Sequence, residues 1–153
     1  MKKSDYTRST AEWPYADLNT KFHIYIRKYS EVNGLENIEN EVLQCFVTTN
    51  SKKGFLGRIK TNYTVICITK RFLFWGIIED DKETGIAGAK WDEISEIRDW
   101  ESSEMGKMVE DSGVDIFGFI YKASRRSSWF IGLGKDDAGD KCRRAMKEML
   151  KKE

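Results

Sequence analysis

The residues best suited to hold something charged lie in one stretch. Residues 51–72 contain six basic side chains, Lys52, Lys53, Arg58, Lys60, Lys70 and Arg71, and no acidic one. The first four surround an apolar pair, Phe55 and Leu56, set between Gly54 and Gly57. A cationic loop with an apolar tip suits an anionic lipid surface or an acidic protein face: charge attracts, and the apolar side chains enter once contact is made. Four charges at about 1 kcal/mol each and two partly buried apolar side chains at roughly 1–2 kcal/mol each give at most about 8 kcal/mol. Ordering the loop subtracts from that, so one copy binds at micromolar strength or weaker. Lys52, Lys53, Phe55, Leu56, Arg58 and Lys60 are therefore the candidate binding residues. A solvated loop, a lipid contact and a protein contact remain the three readings open to them.

Other chemistry has less support. Residues 79–104 carry ten acids against three bases, but most fall in turns or on alternating strand faces. A solvated acidic face, or a head-to-tail contact with the basic loop of another copy, explains them better than paired catalytic carboxylates. Cys45, Cys67 and Cys142 are widely spaced and odd in number, which fits reduced, buried thiols. His23 is the lone histidine, so a Cys–His pair or a zinc site lacks ligands. A Gly-rich phosphate loop and a nucleophile elbow are missing. Lys122, Arg125 and Arg126 form a second, smaller basic turn. Asn62-Tyr63-Thr64 matches a glycosylation pattern by chance. No catalytic residue, metal or cofactor is expected. The net charge of +1 argues against a general nucleic-acid binder.

The elements that must position the basic stretch are mostly strands. Residues 41–49, 63–69 and 72–78 have high β-propensity, and the last two meet at a tight Thr69-Lys70-Arg71 turn. Both carry large residues on both faces, as expected where a sheet curls or has a helix behind it. Residues 51–60 read as a long loop or a loop with a short strand. Further strands are expected at 86–91, weakened by Gly88, and at 95–101, 114–122 and 128–133. Residues 1–16 read as a loose, polar terminus. Leu18, Phe22, Tyr25, Ile26, Tyr29 and Val32 recur at helical spacing, with Asp17 or Asn19 as cap and Gly34 as stop. That helix either packs on the sheet or makes a dimer contact. The last element is the clearest: acids at Asp136, Asp137 and Asp140, an apolar stripe through Ala138, Cys142, Ala145, Met146, Met149 and Leu150, and closing lysines.

Seven strands followed by one helix resemble the pleckstrin-homology (PH)-like superfold, in particular its bacterial PH-like and GRAM-like groups. The strand-turn-strand Ile66-Cys-Ile-Thr-Lys-Arg-Phe-Leu-Phe-Trp75 is similar to the family's Thr-x-Arg-Leu-like turn, with Phe72 in place of leucine. Gly57-Arg-Ile-Lys-Thr61 is similar to the GRAM lead-in, and Trp91-Asp-Glu-Ile94 with Ile97 to an aromatic-x-acid-Ile corner. The resemblance covers about residues 36–152. It implies a non-catalytic binding or adaptor domain whose loop after the first strand holds an anionic ligand. The basic spacing here does not match the inositol-phosphate signature, so that specificity does not carry over.

The expected fold is thus mainly β (α+β): a seven-stranded antiparallel PH-like barrel, residues 35–153, capped by its C-terminal α-helix. An N-terminal tail and amphipathic helix, residues 1–34, precede it. The expected partner is an anionic membrane surface or a protein, with no specific nucleic acid. Self-association into a homo-oligomeric, structural module is the alternative. No apolar run reaches transmembrane length and the first residues lack a signal-peptide pattern, which points to the cytoplasm, with peripheral membrane contact as an option.

Overall fold

The computed structural model describes residues 2–36, 38–79, 82–118 and 125–152, with backbone alone at 2, 3 and 82–85. The elements run β1 (Lys2–Lys3), β2 (Tyr6–Trp13), α1 (Thr20–Val32), β3 (Val42–Lys53), β4 (Ile59–Thr69), β5 (Phe72–Glu79), β6 (Lys82–Lys90), β7 (Ile94–Asp99), β8 (Val109–Glu110), β9 (Gly113–Gly118), β10 (Ser127–Gly132) and α2 (Asp137–Lys151). β2 to β6 form one antiparallel meander in the order β2-β3-β4-β5-β6, and β10-β9-β7 form a second antiparallel sheet. β1 and β8 pair in parallel.

The chain is therefore mainly β with a C-terminal helix. Among the described residues the five-stranded and the three-stranded antiparallel sheets face each other, with no ladder between them. Two devices hold them together. At one corner Trp91 is buried and donates its indole N–H to the Thr69 carbonyl at 3.0 Å, while the Glu93 carboxylate accepts from the Lys90 amide at 2.8 Å. At the opposite edge side chains join β2 to the segments just before β9 and just after β10. The Arg8 guanidinium donates to both oxygens of Asp111 at 2.9 and 3.0 Å and to Asn50 Oδ1 at 2.5 Å. The Thr10 amide donates to Asp136, and the Gly134 amide donates to Thr10 Oγ1.

Two apolar layers result. Phe46, Ile66, Leu73 and Trp75 face Ile97, Val114, Ile116 and Ile131 of the second sheet, and α2 closes this layer with Cys142 and Met146. On the other side of the five-stranded sheet, Leu18, Phe22 and Ile26 of the α1 region cover Cys45, Val47, Cys67, Phe72 and Phe74. β4 and β5 are covered on both faces, so every position from 64 to 69 and from 72 to 75 is buried. The helix sits behind a sheet that also faces a second one. Gly88 lies opposite Phe74, and a Cβ there would meet the Phe74 ring at 2.7 Å. The glycine that weakens β6 on paper thus makes room for Phe74 beneath Tyr29, whose rings cross at 86° with centroids 5.1 Å apart.

Several expectations need correction. Residues 6–13 are a strand, not a loose terminus. β2 is an edge strand with only Thr10 buried, so it lacks the apolar alternation that marks a strand in sequence. The region 1–34 contributes an edge strand and the cover of one sheet face, so it is built into the same two layers as the rest. Half of the basic stretch 51–60 is strand: β3 runs on to Lys53 and β4 begins at Ile59. The predicted end of the 114–122 strand lies partly outside the described residues, as do Lys122 and the acids Asp80 and Asp81 of the 79–83 turn. Asn19, rather than Asp17, caps α1 by accepting from the Lys21 amide.

All three cysteines are buried thiols. Cys45 and Cys67 face each other across β3 and β4 with sulfurs 3.6 Å apart. Their mutual hydrogen bond and then burial raise the Cys67 pKa, and burial raises that of Cys142. Thiolate, the reactive form, is thus suppressed. The native protein is expected to react negligibly with an aromatic disulfide reagent in the time denatured protein titrates three thiols. Fast stoichiometric labelling without denaturant would contradict this packing.

Candidate functional site

Extending β3 and β4 makes the candidate site the end of a long hairpin. Lys52 pairs with Lys60 and Lys53 with Ile59. Because side chains alternate, Lys52 and Lys60 share one face while Lys53 and Ile59 share the other. The hairpin therefore presents positive charge on both sides. Opposed lysines repel, and Lys52 is eased by Asp5, 3.8 Å from its ammonium, and by the Tyr6 ring at 5.7 Å. No ion pair is recorded for Lys53, Arg58 or Lys60 among the described residues.

The chain reverses through a single 3-10 turn, Phe55–Gly57, between Gly54 and Arg58. Leu56 takes left-handed backbone angles, φ 60° and ψ 27°, and Gly57 follows at φ 75°. For a leucine this conformation costs on the order of 1–2 kcal/mol. Phe55, Leu56 and Ile59 are 87%, 83% and 72% exposed. Three exposed large apolar side chains, one of them on strained backbone, thus stand together at the tip.

The structure thus brings together all six sequence-predicted residues, Lys52, Lys53, Phe55, Leu56, Arg58 and Lys60. It separates from them the other two cations of the basic stretch. Lys70 and Arg71 lie at the far end of β4, about 34 Å away along the eleven-residue strand. There Arg71 forms a bidentate pair with Glu41. Ile59 belongs to the tip but was not among the predicted residues. Its place between Arg58 and Lys60 was the available signal.

The acidic stretch has structural partners. Arg143 and Lys147 of α2 bind Asp99, Arg143 also binds Glu101, and Arg98 binds Glu96. Burial raises the Asp99 carboxyl pKa, but hydrogen bonds and charge from Lys147 and Arg143 outweigh it and hold the group below its ordinary value. At the second basic turn Arg126 donates to Ser95 Oγ.

Several concavities lie elsewhere among the described residues, and two of them bear on binding. One, of about 240 Å³, sits on the α1 side of the sheet, walled by Trp13 and Tyr63 over Leu18, Val47, Val65 and Ile78. The other, of about 330 Å³, is a polar cleft beside Arg8 and Asp111. Neither contains the hairpin tip. Among the described residues no three of His, Cys, Asp and Glu converge as a metal site, and no helix is long and apolar enough to cross a membrane. Comparison with protein-family models, curated proteins and solved structures found no match.

Proposed function

We propose that this chain is a non-catalytic PH-like binding or adaptor module of the cytoplasm that touches an anionic membrane surface through the β3–β4 tip. The arrangement of two antiparallel sheets, a Trp91–Ile94 corner and a closing helix supports the PH-like reading. The observation that carries the function is the tip itself: Phe55, Leu56 and Ile59 stand exposed among Lys52, Lys53, Arg58 and Lys60. A lipid surface satisfies both halves, because headgroups take the charge and the acyl boundary takes the apolar side chains.

The expected result is co-sedimentation with vesicles of phosphatidylserine and phosphatidylcholine, but not with phosphatidylcholine alone. Binding should weaken sharply in 1 M salt, where the screening length is about 3 Å and the charge contribution is lost. Phe55→Asp, or Lys52→Glu with Lys53→Glu, should each weaken it at least tenfold. Equal binding by the double charge reversal rejects the reading.

A second reading is a self-associating module, and the Trp13–Tyr63 groove favours it. At about 240 Å³ it falls below the usual range of small-molecule sites, about 300–1,000 Å³, and is better matched to side chains of another protein. Light scattering after gel filtration separates the two: a salt-independent oligomer that ignores vesicles supports self-association.

A further inference from the structure

The six most exposed large apolar side chains among the described residues are Phe55, Val32, Leu56, Ile59, Met108 and Met105. Three belong to the hairpin tip, and two belong to one turn between β7 and β8. That turn is built firmly. Ser103 Oγ donates to the Trp100 carbonyl at 2.6 Å and accepts from the Gly106 amide at 2.9 Å. The Trp100 indole donates to the Val109 carbonyl at 3.0 Å. A Cβ at position 106 would lie 1.9 Å from the Trp100 carbonyl oxygen, so only glycine fits. The framework buries Gly106 yet leaves Met105 54% and Met108 66% exposed, on either side of exposed Lys107.

Both protrusions are tied to one short segment. Lys2 and Lys3 pair with Val109 and Glu110, directly after the turn, and Tyr6 pairs with Lys52 at the base of the tip. The step from Lys3 to Tyr6 spans about 10 Å of chain at most.

We propose that the Met105–Met108 turn is a second insertion element that enters the same anionic bilayer as the β3–β4 tip. This rests on the membrane reading given above. One tip alone gives weak binding, whereas two elements on one body add their contributions without a second association cost. A bilayer suits two separate apolar knobs better than a protein groove does, since it needs no matched shape. Methionine, flexible and polarizable, adapts to such a boundary. Glu104 and Glu110 flank the turn and outnumber Lys107, Glu110 lying 3.7 Å from the Lys135 ammonium, so the turn adds no charge attraction to an anionic surface and what it contributes is apolar.

The test uses the full chain with vesicles of phosphatidylserine and phosphatidylcholine. Met105→Ser with Met108→Ser should lower partitioning about tenfold, with the urea unfolding midpoint unchanged. Phe55→Ser should lower it separately. In the wild-type protein, hydrogen exchange of residues 103–110 should slow on adding vesicles. Wild-type partitioning by the double methionine variant, beside a weakened Phe55→Ser, overturns this inference and leaves the membrane reading standing. Unchanged exchange at 103–110 on bound vesicles overturns it too. Absence of any wild-type binding defeats the membrane reading, and the second element falls with it.

Discussion

Replacing Met146 by aspartate is expected to abolish the native fold. Met146 is fully buried in the layer between the sheets, where α2 closes it beside Cys142. The substitution removes roughly 1.5–3 kcal/mol of apolar burial and places a carboxyl where no cation is recorded against it. An uncompensated buried charge adds several kcal/mol. The sum, on the order of 5 kcal/mol or more, is comparable with the whole stability of an ordinary domain, about 5–15 kcal/mol. Met146→Leu should cost less than about 1.5 kcal/mol. Thermal melts followed by circular dichroism decide the matter. A cooperative wild-type melt from the aspartate variant would mean that α2 does not close the core.

The second large effect is expected at Arg8. Its guanidinium is bidentate on Asp111, donates to buried Asn50, and lies 4.9 Å from the Tyr6 ring centroid and 5.5 Å from that of Phe130. Asn50 in turn donates to Asn62 and Thr64. Arg8→Ala would take the guanidinium from the Asp111 carboxylate, leaving it the Ser112 amide, remove the donor to Asn50 Oδ1 and loosen one tie of the edge strand. Breaking a buried pair costs about 3–5 kcal/mol. This one is not fully enclosed, with side chains 9% and 16% exposed, so about 2–4 kcal/mol is the expected loss at pH 7.

The pH dependence follows from Asp111. Burial raises its pKa, but hydrogen bonds from Arg8 and the Ser112 amide, with the Arg8 charge, outweigh burial and hold it below its ordinary value. A depressed carboxyl stabilises the fold above the unfolded pKa of about 3.9 and loses that effect as pH falls through the lower folded value. The gap in urea midpoint between wild type and Arg8→Ala should therefore be full at pH 7 and shrink below about pH 4. A gap that stays constant down to pH 2 would mean the ion pair is not its source.

Much of this architecture was legible from residue pattern alone, and the reasons are physical. β4 and β5 announce themselves because burial on both faces favours the β-branched and aromatic residues that fill most of their buried positions. α2 does so because its apolar stripe, N-terminal acids and closing lysines agree. The hairpin tip was legible as a cluster because Lys52 to Lys60 are contiguous in the chain. What stayed hidden depends on partners far away in sequence. β2 is polar on both sides because it lies at an edge, and its one buried threonine gives no period. Arg8 looks like a solvent residue until Asp111, 103 positions later, is brought beside it. Met105 and Met108 belong to no periodic element, so their exposure follows from the Ser103 and Trp100 hydrogen bonds and not from any local pattern. The division into a five-stranded and a three-stranded sheet turns on which strand edges meet, and strand propensity is silent about that.

The edge made by Arg8, Thr10 and Glu12 also sets the timing of maturation. Their partners Asp111, Asp136 and Lys141 lie 103, 126 and 129 residues downstream. During synthesis β2 can pair with β3 early, but this seam must wait until residue 141 has been made. Long-range closures of this kind slow folding. Until the seam forms, the nascent chain holds one finished sheet with its inward face uncovered.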